Sequence, residues 1–243
     1  MIEPGNEFLD IRSLKVHYGS YEAIQDVSLT IPKGKLVSLL GANASGKSTI
    51  LKTISGLHRP THGQILFEGH RVDRLPPHEI VKMGIAHVAE GRRLFTNMSV
   101  GDNLRLGLYG GRNRNKHEKQ REFEDIYKRF PILLEKSKLL AMTLSGGEAQ
   151  ILAIARSLMS KPRLLLMDEP LQALSPVMRE EVVSIVTQLR ETGLTILMVE
   201  HNVTTAFDIS DLVYILDNGE IILQGKPQDL SGTEYVQKHY LGV

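Results

Sequence analysis

Cysteine is missing from all 243 residues. That removes disulfide frameworks, thiol catalysis and thiolate metal sites, and it is compatible with a reducing compartment. An excess of one charge is missing too. The 29 Lys+Arg stand against 28 Asp+Glu, a formal net charge of +1, so nothing in the bulk charge draws the chain to nucleic acid or to an anionic membrane surface. No apolar run approaches the ~20 residues that a spanning helix needs. The acidic start "MIEPGNEFLD" lacks an apolar signal core. The expectation is a cytoplasmic chain that is not exported by a cleaved signal and meets a membrane only through protein partners. Repeats and long low-complexity tracts are also absent, and the length suits one large domain or a core with a subdomain.

What is present alternates between strand and helix signals. "KLVSLL" (35–40), "RLLLM" (163–167), "LTILMV" (194–199) and "LVYIL" (212–216) are short apolar runs of the kind buried on both faces. Helical patterns separate several of them, which predicts parallel pairing. "FLDIRSLKVHY" (8–18), "AIQDVSLTI" (23–31) and "QILFEG" (64–69) alternate instead and predict an antiparallel layer at the sheet's edge. Strand signals lapse between about Arg92 and Leu140, where "KHEKQREFEDIYKRF" (116–130) has the mixed charge of an exposed helix. "YGGRNRNK" (109–116) is expected to be a mobile loop.

"LVSLLGANASGKST" sets an apolar strand before Gly41, Ala42, Asn43, Ala44, Ser45, Gly46, Lys47, Ser48 and Thr49, with a helical pattern after them. This matches G-x-x-x-x-G-K-[ST] in the setting that gives it meaning. Backbone N–H groups can curl around phosphate oxygens, the helix N-terminus adds partial positive charge, and Lys47 adds a full one. Ser48 can ligate Mg²⁺. The bland alternative, a glycine-rich turn with an incidental lysine, explains neither the spacing nor the flanking elements.

The run "RLLLMDE" ends in two acids where burial of a carboxylate is costly. P-loop NTPases end a second strand in an acid that holds Mg²⁺ beside the phosphate loop. Neighbouring strand residues point to opposite faces, so Asp168 and Glu169 cannot share one role unless the chain turns. Asp168 is assigned to the metal and Glu169 to the attacking water. Without the phosphate loop the pair would read equally well as solvated acids opening a turn.

"LSGGEAQILAIARSLMSKP" opens as a helix with a capping box, Ser145 at the cap and Glu148 three residues on. Two glycines in a first helical turn each cost up to ~1 kcal/mol against alanine, and a cap alone does not require them. The inference is that Ser145, Gly146 and Gly147 present an anion-binding helix start to a nucleotide held elsewhere.

With "LSGGE" ahead of "MDEP", the sequence from about Phe8 to Val243 resembles the ATP-binding subunits of ATP-binding cassette (ABC) transporters. The fold class implied is α/β: a P-loop NTPase (RecA-like) core with an antiparallel β edge layer and an inserted α-helical subdomain. One domain would span 1–243, with the helical subdomain at about 92–158. The resemblance implies a Mg-ATP hydrolase in which two cassettes, identical or different, close head to tail. Each ATP would lie between one chain's phosphate loop and the other's "LSGGE" helix, Ser145 to Glu148 included. Carried onto this chain, Tyr18 would stack on adenine and His201 would contact the γ-phosphate. Catalysis would fall to Glu169, His201 and Lys47, and the metal to Ser48, Asp168 and Glu90. Alone, Tyr18 would read as an ordinary strand aromatic and His201 as a packed loop histidine.

"EGRRLF" (90–95), the short helical insert and the ending "KHYLGV" are most similar to the ATPase subunits of branched-chain and other hydrophobic amino-acid importers. Glu90 stands where most cassettes have Gln, keeping an oxygen but losing the amide donor. Arg92 and Arg93 also read as a solvated loop. The implied partners are two permease subunits, a second cassette and, indirectly, a solute-binding protein at the inner membrane. The surface around Phe95, Met98 and the helical insert would take the permease. "EHNV" and "YLG" also resemble the lipopolysaccharide-export ATPase.

Two departures stand out. Ala44 replaces a glycine of the family loop, which costs ~1 to 2 kcal/mol if the position is left-handed. Where the family has Ser-Leu-Gly-Leu-Ala-Pro after "DEP", this chain has Leu171, Gln172, Ala173, Leu174, Ser175 and Pro176. Altered coupling between the two sites is expected rather than loss of hydrolysis. An ATP-gated clamp with little turnover is the competing class. A soluble repair or translation ATPase would want tandem cassettes or a long coiled-coil insert, and a GTPase an N-K-x-D element; neither is present.

Overall fold

The structure, a computed structural model, describes residues 7–110 and 115–238. The first six residues, the centre of the 109–116 loop and all but Lys238 of the "KHYLGV" ending lie outside the described residues. In chain order the elements are β1 (Glu7–Tyr18), β2 (Tyr21–Pro32), β3 (Leu36–Leu40), α1 (Lys47–Ile54), β4 (His62–Phe67), β5 (His70–Arg71), α2 (Pro77–Lys82) and β6 (Ile85–Val88). There follow α3 (Val100–Gly107), α4 (Lys116–Arg129), α5 (Pro131–Glu135), α6 (Gly146–Leu158), β7 (Leu164–Asp168), α7 (Pro176–Glu191), β8 (Thr195–Glu200), α8 (Val203–Ile209), β9 (Leu212–Asp217) and β10 (Glu220–Gly225).

The apolar runs become a six-stranded sheet in the order β10-β9-β3-β8-β7-β6, and the alternating runs a four-stranded sheet in the order β2-β1-β4-β5. In the six-stranded sheet the pairs β3–β8, β3–β9, β7–β8 and β6–β7 are parallel and β10 runs antiparallel against β9; the four-stranded sheet is antiparallel. Strand alternation sorts the side chains into two cores. Val37, Leu39, Leu164, Leu166, Leu197 and Val199 pack with α1 and the antiparallel layer. Leu36, Leu165, Met167, Ile196 and Met198 pack with α6 and α7 on the other face. A strand buried on both sides has no polar face, so these runs carry no alternation in sequence.

Helix α6 serves two cores at once. Ala153 and Ile154 face the sheet, while Ile151, Leu152, Ala155 and the capping Met159 close a separate cluster with Val100 and Leu104 of α3, Ile126 of α4, Leu133 of α5 and Phe130 at the α4–α5 junction. Its start shows both hydrogen bonds of the capping box expected between Ser145 and Glu148. Three strands escaped the sequence reading, among them the two-residue β5. β6 is four residues long, and β10 alternates weakly as the half-exposed edge. No helix among the described residues is long and apolar enough to cross a membrane.

On β6, His87 accepts or donates one hydrogen bond at Nδ1 to the Ser55 hydroxyl, 3.2 Å away. Its Nε2 is buried without a partner. Burial, helped by the charge of Lys52, lowers its pKa from 6.5 to about 4. Because the unfolded chain takes up this proton more readily, the neutral ring's contribution to stability is complete above pH 6.5 and is lost as pH falls toward about 4. The full effect is on the order of 3 kcal/mol. In urea titrations at pH 7 and pH 5, His87→Gln is expected to lose markedly less stability than the parent; an equal loss would contradict this account.

Candidate active site

The carboxyl ends of β3, β8 and β7 lie side by side, with Leu40 opposite Glu200 and Asp168 opposite Val199. In an open α/β sheet this is where a ligand crevice forms. The chain leaves β3 through Gly41 into a tight loop and enters α1 at Lys47. Gly41 has no room for a side chain: a Cβ there would lie 2.2 Å from the Leu216 carbonyl oxygen. Gly46, at φ +107, would drive a Cβ to 2.5 Å from Ile24 Cδ1. Gly41 and Ser45 are buried below the loop, and the Ser45 hydroxyl has no hydrogen-bond partner. Ala42 is exposed. Asn43, Ala44, Gly46, Lys47, Ser48 and Thr49 line a cleft of about 250 Å³ together with Tyr18, Tyr21, Ala23 and Glu169.

Lys47 is 4% exposed, and its Nζ donates to the carbonyls of Gly41 (3.0 Å) and Ala42 (2.8 Å). An ammonium has three protons, so one is left for a phosphate oxygen. Burial lowers its pKa, opposed by the charges of Glu169 and Asp168. The Ser48 hydroxyl donates to Asp168 Oδ1 at 2.9 Å, joining positions 120 residues apart. Asp168 is pushed toward its neutral form, first by burial and then by Glu169 and Glu90, against the Ser48 hydrogen bond. Glu90, exposed just beyond β6, is felt at Asp168 as a charge and is not hydrogen-bonded to it.

Glu169 leaves the strand in a left-handed conformation, φ 49, while its N–H still bonds to the Val199 carbonyl at 3.1 Å. That turn frees its side chain from the strand's alternation. His201 Nε2 lies 2.5 Å from Glu169 Oε1, and the other ring nitrogen lies 3.3 Å from the Gly41 carbonyl. The histidine therefore spans the phosphate loop and the acid. Tyr18, 44% exposed, stacks at 4.3 Å on His58 with the planes 32° apart.

Ser145, Gly146, Gly147 and Glu148 do not line this cleft. Ser145 and Gly146 are exposed at the start of α6. Within the chain, each glycine also has a close neighbour. Gly147 is buried, and a Cβ there would lie 2.2 Å from Met178 Cε of α7. At Gly146 the approaching group is the Arg92 guanidinium, with Nη2 3.4 Å from where a Cβ would sit. Glu148 is committed within the chain: Oε2 accepts from the Ser145 N–H at 2.9 Å and Oε1 from Lys136 Nζ at 2.6 Å. Those bonds, Lys136 foremost, lower its pKa.

Arg92 is half-buried, so for it the solvated-loop alternative is corrected. Arg92 and Arg93 take φ 64 and 44, and their carbonyls accept from the Arg156 guanidinium of α6 at 3.1 and 2.9 Å. Sequence reasoning also passed over Glu200. It is 4% exposed and accepts from the N–H groups of Leu171 (3.1 Å) and His201 (3.3 Å). Burial raises its pKa. An acid closing the apolar run "TILMV" was the available signal.

Ala44 does adopt a left-handed conformation, φ 63, as does Ala173 at φ 54. The strain of ~1 to 2 kcal/mol exceeds the ~0.4 to 1 kcal/mol by which alanine restricts the unfolded chain. Ala44→Gly is therefore expected to raise the Tm by roughly 2 °C in thermal unfolding; an unchanged or lower Tm would mean the loop bears no such strain.

A profile of the ABC transporter family matches residues 24–172. Over 234 residues the chain is 39% identical to the high-affinity branched-chain amino acid transport ATP-binding protein BraG of Pseudomonas aeruginosa, covering 96% of this chain and 99% of that one. It is 30% identical over 234 residues to the lipopolysaccharide export system ATP-binding protein LptB of Escherichia coli, covering 96% and 97%. Among solved structures, a nucleotide-free ATP-binding cassette from an ABC transporter matches with a TM-score of 0.85 at 26% identity, covering 95% of this chain and 97% of that one. A dimeric post-hydrolysis cassette bound to ADP and Pi matches at 0.80 and 26% identity, covering 90% and 98%.

Proposed function

The chain belongs to the ABC transporter family as an ATP-binding, ATPase subunit, and from that premise we propose that it drives import of branched-chain amino acids as one half of a cassette dimer. The catalytic part of this reading is carried by the convergence of Lys47, Ser48, Asp168, Glu169 and His201 on three adjacent strand ends. Glu169 orients and deprotonates the water that attacks the γ-phosphorus in line. His201 holds Glu169 and contacts the γ-phosphate, and Lys47 places its charge where negative charge gathers. Tyr18 stacks on adenine.

Magnesium fits the residues present. Ser48 and Asp168 are hard oxygen donors in contact with each other, and burial and the charges of Glu169 and Glu90 disfavour ionised Asp168, an imbalance that a dication relieves. Among the described residues no group of three or more His, Asp or Glu could hold a metal alone. Ser48 and Asp168 would hold the ion together with the nucleotide, and Glu90 would act through water. When bound, the ion supplies neutralisation of phosphate charge.

Ser145 and Gly146 are exposed and lie off the cleft lining, which supports a nucleotide closed over by the α6 start of a second cassette, identical or different. Gly147 and Glu148 shape that start from within. The segment 92–158 is taken as a helical unit that meets the permeases at the cytoplasmic face of the inner membrane, with a solute-binding protein acting upstream. Exposed Phe95, Leu140 and Met142 support this. Hydrogen bonds from Met142 N to Thr96 O and from Ala141 N to Met98 O hold the two segments together. The substrate reading rests on the likeness to BraG. The likeness to LptB makes lipopolysaccharide export the second reading.

Glu169→Gln is expected to cut ATP turnover by at least about 100-fold while nucleotide binding persists and dimers accumulate on ATP. Equal slow phosphate release by parent and variant, with both dimerising, would favour the clamp. Phe95→Asp is expected to abolish copurification of two permeases and uptake of labelled leucine, with ATP binding intact. Copurified lipopolysaccharide-bridge components would favour the second reading.

A further inference from the structure

The carboxylate of Glu169 is held from two sides, and only one holder has been accounted for. His201 engages Oε1. Gln172 Nε2 donates to Oε2 at 2.9 Å. The amide must present its nitrogen there, because its oxygen would repel the carboxylate. A carboxylate has about four lone-pair sites, so two bonds leave room for water. With one donor on each oxygen, the carboxyl plane cannot rotate without breaking both bonds.

The backbone prepares this contact. Glu169 at φ 49 opens a turn closed by the hydrogen bond from Gln172 N to Glu169 O, 3.1 Å. Leu171 and Leu174 anchor in the core on either side, and Leu171 N is held by buried Glu200. Gln172 is itself exposed, so no packing demand explains its side chain, whereas the Glu169 side chain is only 10% exposed.

We propose that Gln172 is a positioning residue for Glu169, fixing the carboxylate plane in which the attacking water is received. The proposal rests on the reading of Glu169 as the catalytic base. It also couples that base to the 171–175 segment, so a displacement of this segment turns the carboxylate.

The test measures steady-state ATP turnover and thermal unfolding of the purified chain for the parent, Gln172→Leu, Glu169→Gln and the double variant. Gln172→Leu removes the donor at similar volume. It is expected to lower kcat roughly tenfold, the scale of one hydrogen bond to a charged group, with KM for ATP within about twofold and Tm unchanged. In the Glu169→Gln background the same substitution is expected to add nothing, because the two residues act as one unit. Gln172→Glu, which places like charges together, is expected to fall below Gln172→Leu. An unchanged kcat, or an equal loss in both backgrounds, overturns the proposal. A rise in kcat overturns it too, since the contact would then restrain the base. Parent-level turnover by Glu169→Gln alone would remove the reading of Glu169 itself, an outcome visible before Gln172 is touched.

Discussion

The parallel register of three strands governs the chemistry. Leu40 faces Glu200 across β3–β8, and Asp168 faces Val199 across β7–β8, so Gly41, His201 and Glu169 emerge within one residue of a common level. A slip of one residue in β7 would swap its two faces, sending Asp168 away from Ser48 and burying the wrong methionine or leucine on each side. The cores above and below the sheet enforce that register, because each strand is apolar on both faces. The hydrophobic packing thus sets the positions of polar atoms that take no part in it.

The site is electrostatically uncomfortable by construction. Asp168 and Glu200 are buried acids disfavoured in their ionised forms, and Lys47 is a buried base disfavoured in its own. Around them Ala44, Glu169 and Ala173 sit in left-handed conformations without being glycine. Such strain persists where the surroundings over-determine the geometry. Here the surroundings are a glycine with no space for a Cβ at position 41 and a web of backbone donors on Glu200. Polyphosphate with a divalent ion would satisfy several of these groups together, which makes the chain's local instability a form of preorganisation.

Much of the architecture was legible because it follows from local pattern. Four buried runs and three alternating ones foretold both sheets, and the capping box foretold where α6 begins. β5, β6 and β10 were not legible: two or four residues carry too little periodicity, and an edge strand with half-exposed faces blurs it. At the site, the motif spacing named Ser48 and Asp168, but it could not show that their side chains touch. The sense of Gly147 depends on Met178, the sense of Arg92 on Arg156 and Gly146, and the hold on Glu169 on a glutamine after the turn. Those are facts of tertiary contact, which no window along the sequence contains.

The two arginines point in opposite directions across one gap. Arg156 reaches from α6 to the carbonyls of the stretch that follows Glu90, and the Arg92 guanidinium passes near the first turn of α6, with Nη2 3.4 Å from where a Gly146 Cβ would sit, without a hydrogen bond to it. A loop fastened at one carbonyl can absorb motion by bending; one fastened at two successive carbonyls by a single rigid planar group has less slack left. The stretch behind Glu90 is therefore tied to the last turn of α6, and any shift of that helix along its axis carries the stretch with it.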